Sequence, residues 1–178
     1  EKISESYLRQ VVTMIRDPHQ RAVSGWYGHK HDCPKARNIS VYQICVSACQ
    51  TQMILGTFCA AKMYRPRGYD LLGLTEEKAV EVAVGRLRQF GFVGLTDQFS
   101  WSVCLFHAMF PGGECVPAEF RRGRPSTERM KNMSDSSTRY DLDAEGIVDY
   151  VPGLDDILYA EAVSIFKRLL STYGVTRE

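Results

Sequence analysis

The chain has 178 residues, 44% of them apolar, and its 22 basic side chains are nearly balanced by 21 acidic ones. That is enough apolar material for one domain with a sizeable core. A net charge of +1 supplies no field that would draw the chain to nucleic acid or to an anionic membrane, and no apolar run approaches the ~20 residues needed to cross a bilayer.

Residues 10–16 read as a buried strand, because Val11, Val12, Thr13, Met14 and Ile15 form an apolar, partly β-branched run that stops at Arg16. Asp17 suits an N-cap and Pro18 the first turn of a helix, where its missing N–H costs little, so a helix is expected over 18–28. A strand running straight into a helix N-terminus places a guanidinium, free backbone N–H groups and a helix hydroxyl near one spot, which suits a phosphate. An ordinary junction, with Arg16 in a structural ion pair, uses the same residues.

Residues 29–37 follow as a polar loop. His29, His31 and Cys33 form a short array that would need Cys45 or Cys49 to hold zinc, and its spacing is not that of an established zinc motif. A loop with one disulfide-capable cysteine, and no metal, is therefore expected. Helix returns over about 39–56, where Cys45 and Cys49 stand four apart and suit contact with other elements better than a bond to each other.

Residues 64–69 are a turn-rich connector. Thr75 then opens a helix, with Lys78 where a capping box would carry Glu and with Glu76 and Glu77 at the positive helix end. Ala79, Val80, Ala83, Val84 and Leu87 keep helical spacing to about Phe90. Residues 92–95 are a short apolar strand, and a helix runs from about Asp97 to Met109, on which His107 reads as a buried, satisfied histidine. Residues 111–139 form a long Gly/Pro/Ser/Arg loop holding the densest basic run, Arg121, Arg122, Arg124, Arg129 and Lys131. That run is a solvated face, or else a cover for a nucleotide or an acidic glycan. An amphipathic helix over 154–173 is closed by Gly174. Strands alternating with helices make the class α/β.

The six cysteines are an even set suited to disulfides in an oxidising compartment. The only two asparagines, Asn38 and Asn132, both stand in glycosylation sequons, Asn38-Ile39-Ser40 and Asn132-Met133-Ser134. Together these favour a lumenal or secreted setting.

Arg16-Asp17-Pro18, Arg21 and Ser24, with Tyr27 and His29 beyond, resemble the 3′-phosphate-binding motif of sulfotransferases, especially the lumenal carbohydrate sulfotransferases. Phe92-Val93-Gly94-Leu95-Thr96-Asp97-Gln98-Phe99 and Ser102-Val103-Cys104-Leu105-Phe106 are similar to the family's late strand and following helix. The segment from Cys49 to Gly56 resembles the helix end between them. Lys131 to Ser134, Asp155 to Tyr159 and Phe166 resemble its C-terminal tail. The likeness covers roughly residues 10–172 and is most specific at the first motif.

The resemblance implies a P-loop-NTPase-like sulfotransferase fold of few parallel strands flanked by helices, with 3′-phosphoadenosine 5′-phosphosulfate (PAPS) as co-substrate and no metal. It assigns the 3′-phosphate to Arg16 and Ser24. The Lys- and Ser/Thr-bearing phosphosulfate loop that opens such a domain is not found, so the 178 residues are expected to form a single unit corresponding to the back half of the fold, with no catalytic base visible. Two functions follow. One is transfer of a sulfuryl group to a carbohydrate hydroxyl in the Golgi lumen. The other is a non-catalytic, sulfotransferase-like accessory or structural subunit of a larger organellar assembly. In either case the strand at 11–15 needs a neighbour, expected from residues before Glu1 or from a protein partner.

Overall fold

A computed structural model describes residues 5–27, 33, 36–59, 69–120 and 153–176. After a short helix α1 (Glu5–Leu8), strand β1 (Val12–Ile15) leads into helix α2 (Pro18–Tyr27), followed by α3 (Ile39–Cys45) and α4 (Cys49–Ile54). A 3₁₀ turn (Asp70–Leu72) precedes α5 (Glu76–Leu87). Strand β2 (Phe92–Leu95) passes through a second 3₁₀ turn (Thr96–Gln98) into α6 (Phe99–Met109). A third 3₁₀ turn (Pro117–Phe120) and the long helix α7 (Leu154–Thr172) complete the described elements.

β1 and β2 pair in parallel, with Val12 opposite Phe92 and Ile15 opposite Leu95. All four residues of β2 are buried, because side chains alternate across a strand and both faces of this one are covered. Phe92 meets Phe106 of α6 edge to face, with centroids 5.2 Å apart. α5 and α7 supply the apolar cover through Ala79, Ala83 and Leu87 on one helix and Leu158, Ala162, Ile165 and Phe166 on the other, each set at helical spacing. Ser102 of α6 closes the end of β2: its hydroxyl accepts from the Leu95 N–H at 2.8 Å and donates to the Leu95 carbonyl at 3.0 Å. Arg88 and Glu161 add a two-pronged ion pair at the rim, at 2.9 Å for each bond.

β1 departs from the expected two-sided burial. Ile15 is buried, but Val12 is 53% and Met14 36% exposed, so one face of this strand lacks the cover that β2 has. The helix expected over 39–56 is two helices. Ala48 sits at φ 61°, in the left-handed region, which stops α3 and re-aims the chain into α4. Cys45 and Cys49 thus lie on different helices and bond elsewhere, as Cys33–Cys45 and Cys49–Cys59, while Cys104–Cys115 ties α6 to the loop after it.

His107 is half-buried rather than buried, and its Nε2 lies 2.9 Å from Glu119 Oε1. Glu119 is held below its ordinary range first by the Val116 N–H and then by His107. The 111–139 loop contains the Pro117–Phe120 turn. Residues 121–139, with the whole basic run from Arg121 to Lys131, lie outside the described residues, as do His29, His31, Asn132 and residues 64–68 of the connector. Thr75 caps α5 as expected, accepting from the Lys78 N–H, and α7 ends at Gly174 with φ 63°. Among the described residues no helix is long and apolar enough to cross a membrane.

Two glycines make opposite predictions. A Cβ on Gly91 would overlap the backbone carbonyl of Arg9, at the approach to β1, whereas one on Gly85 in α5 meets nothing within 4 Å. Gly91→Ala should destabilise by about 1–3 kcal/mol, since backbone must shift. Gly85→Ala should stabilise by about 0.5–1 kcal/mol through helix propensity. Urea denaturation of the two variants checks both signs.

Candidate functional site at the carboxyl ends of the strands

Parallel pairing brings the ends of β1 and β2 to one edge, where Ile15 leads to Arg16 and Leu95 to Thr96. In open α/β sheets this edge is where ligands bind. The backbone leaving β1 is clamped by one side-chain amide of α4. The Arg16 N–H donates to Gln50 Oε1 at 2.9 Å, and Gln50 Nε2 donates to the Arg16 carbonyl at 2.8 Å. These two bonds continue the strand's hydrogen bonding beyond its last residue and fix where the Arg16 side chain begins.

Gln50 is held in turn by α7. Asp155 is 3% exposed, and its carboxylate accepts from the Gln50 N–H at 3.0 Å and from the N–H and hydroxyl of Thr51, both at 2.8 Å. It therefore caps the start of α4 from a helix 104 residues away. Arg21 donates to the Val46 carbonyl and lies 3.5 Å from Asp155 Oδ2. Arg21 is consequently a structural tie between α2, the α3–α4 corner and α7. Nearby, Tyr42 packs edge to face on Trp26 at 5.5 Å. Burial raises its phenol above the ordinary 10.0, against the pull of Arg21, so it stays protonated at neutral pH.

Asp17 caps α2 as expected, accepting from the N–H groups of His19 at 2.9 Å and Gln20 at 3.1 Å. This corrects one expectation. The helix-end N–H groups that were to face a phosphate are occupied by Asp17, and Pro18 has none. An anion at this edge must be held by side chains. Ser24 stands one helical turn after Arg21 on the same face of α2. It is half-buried, and its hydroxyl has no hydrogen bond among the described residues. Arg16 is half-buried and has interaction partners. Ser24 lies roughly 9 Å along the α2 axis from Pro18, so an anion shared with Arg16 requires that long side chain to fold back along the helix.

At the end of β2, Thr96 Oγ1 and Asp97 Oδ1 are buried atoms with no partner among the described residues, and Asp97 Oδ2 accepts from the Tyr159 hydroxyl at 3.0 Å. A cleft of about 420 Å³ opens beside them and includes neither Arg16 nor Ser24. The sulfurs of Cys33, Cys45 and Cys49 are committed to disulfides, which removes every thiolate from the zinc array considered above.

Gln50 and Asp155 were the residues missed. They fall within family-like segments, but no local signal marks them, since their partners lie 34 and about 105 positions away. No family model, no curated protein and no solved structure matches the chain.

Proposed function

We propose that this chain holds the 3′-phosphate of PAPS through Arg16 and Ser24 and serves sulfuryl transfer to a carbohydrate hydroxyl. The observation that carries it is local: a parallel strand delivers Arg16 to the carboxyl edge of the sheet, directly before a helix whose Ser24 hydroxyl has no hydrogen bond among the described residues. The sequence resemblance supplies the nucleotide. Side-chain donors alone suit a phosphate dianion, which gains most from a guanidinium with a neutral hydroxyl beside it.

In the reaction an acceptor hydroxyl oxygen forms a bond to sulfur as the bond from sulfur to the 5′-phosphate oxygen breaks. Adenosine 3′,5′-bisphosphate leaves with that electron pair, and the hydroxyl proton passes to a base. Arg16 and Ser24 act at a distance from sulfur, orienting the leaving nucleotide. Asp155 and Gln50 are positioning residues, because they fix the backbone from which Arg16 projects.

Calorimetric titration with adenosine 3′,5′-bisphosphate tests this. Arg16→Ala should weaken binding by about 1.5–3 kcal/mol, the worth of a hydrogen bond to a charged group, and Ser24→Ala by about 1 kcal/mol. Unchanged affinity in Arg16→Ala would sink the assignment. The accessory reading is favoured by the exposed Val12 and Met14 on β1. It gains if nucleotide binds and no radiolabelled sulfate moves to any glycan.

The setting proposed is the Golgi lumen. Three disulfides suit an oxidising compartment. Asn38 is exposed, and only its side-chain oxygen is engaged in capping α3, through the Val41 N–H at 2.9 Å, so its nitrogen is open to a glycan. Secretory expression should yield a chain that an amidase specific for N-glycans shifts to lower mass, with Asn38→Gln removing the shift at that site.

A further inference from the structure

The cleft beside β2 has chemistry of its own. One wall is a stripe of α7, on which Tyr159, Phe166 and Lys167 recur at helical spacing. The other is formed by Asp97 and Gln98 after β2 and by Trp101 of α6. Its volume of about 420 Å³ falls within the ~300–1,000 Å³ of small-molecule sites. Its walls are largely apolar and aromatic, and its polar groups are few and of different kinds.

Asp97 is the informative residue. Tyr159 donates to Oδ2 at 3.0 Å and so fixes the carboxylate plane. Oδ1 is buried and has no partner among the described residues, an acceptor oxygen that calls for a donor. Trp101 lines the same cleft with an indole, and Gln98 both donates and accepts. Lys167 is exposed and brings an ammonium to the opening, where none of the carboxylates described lies within ion-pair distance of it. A ligand matching all of these has hydroxyl donors, one apolar flat side and an anionic substituent.

We propose that this cleft binds a pyranose bearing a carboxylate, a uronic acid residue of a glycan. Two of its hydroxyls meet Asp97 and Gln98, its C–H face lies on Trp101, and its carboxylate meets Lys167. The binding stands on the cleft alone. That the bound sugar belongs to the acceptor rests on the function proposed above.

The test is calorimetric titration of the full 178-residue chain with a uronate-containing disaccharide, its carboxyl-reduced neutral counterpart, and adenosine. The uronate disaccharide should bind saturably, with the neutral sugar about tenfold weaker, the worth of one charge-assisted contact. Lys167→Gln should abolish that tenfold preference and leave neutral-sugar affinity unchanged. Asp97→Asn, which keeps an acceptor for Tyr159, should weaken both sugars about tenfold. If Asp97→Asn does not fold, the exposed Lys167 variant decides alone. Arg16→Ala should leave sugar binding intact, and sugar binding by a wild-type chain that takes no adenosine 3′,5′-bisphosphate counts against the function and not the cleft. The proposal is overturned if wild type shows no saturable sugar binding, if adenosine competes for the cleft, or if Lys167→Gln retains the preference.

Discussion

Replacing Asp155 by alanine is expected to lower the unfolding free energy by about 3–5 kcal/mol, the loss seen when one partner of a buried ionic cluster is removed. The substitution deletes the acceptor for three donors, the Gln50 N–H and the N–H and hydroxyl of Thr51. It also leaves the Arg21 guanidinium, 3.5 Å away, without its carboxylate in a site of low exposure. Water cannot replace these contacts cheaply, because Asp155 and Thr51 are both buried. Asp155→Asn should cost less, since an amide oxygen still accepts one or two of the bonds while its nitrogen faces other donors. Urea melts with unchanged slope would place the loss in the native state. A loss under about 1 kcal/mol for Asp155→Ala would show that the α4 start is satisfied in another way.

Reduction of the three disulfides is expected to unfold the chain at ordinary temperature. The bridges span 12, 10 and 11 positions, and closing loops of that size in the unfolded state is worth about 3 kcal/mol each. Their sum is comparable with the whole stability of a typical domain, about 5–15 kcal/mol. Circular dichroism with and without a strong reductant measures the effect. Retention of the cooperative thermal transition after complete reduction would show that the α5–β2–α7 core stands without them.

That core was the most legible part of the sequence. The α7 stripe and the short run Phe92–Leu95 announce themselves through periodicity and β-branched or aromatic content, and both were found where expected. The break at Ala48 was not legible, because alanine is the best helix former and nothing local predicts its left-handed backbone; Asp155, supplied from α7, caps the helix that follows. The Asp17 cap was anticipated, but its consequence for anion binding was not, since one oxygen takes both helix-end N–H groups. The exposure of Val12 and Met14 escaped for a related reason. An apolar run says that a strand wants cover, and does not say on how many faces the surrounding helices provide it.

The bridges also have an order. Six cysteines can pair in 15 ways, and the pattern here, Cys33–Cys45, Cys49–Cys59 and Cys104–Cys115, is the one in which every cysteine joins its immediate neighbour along the chain. A chain entering an oxidising lumen from its N-terminus would present each partner before the next pair emerges. Correct connectivity then needs no isomerase to undo earlier links, and oxidation can keep pace with synthesis, although the Asp155 clamp must await the arrival of α7.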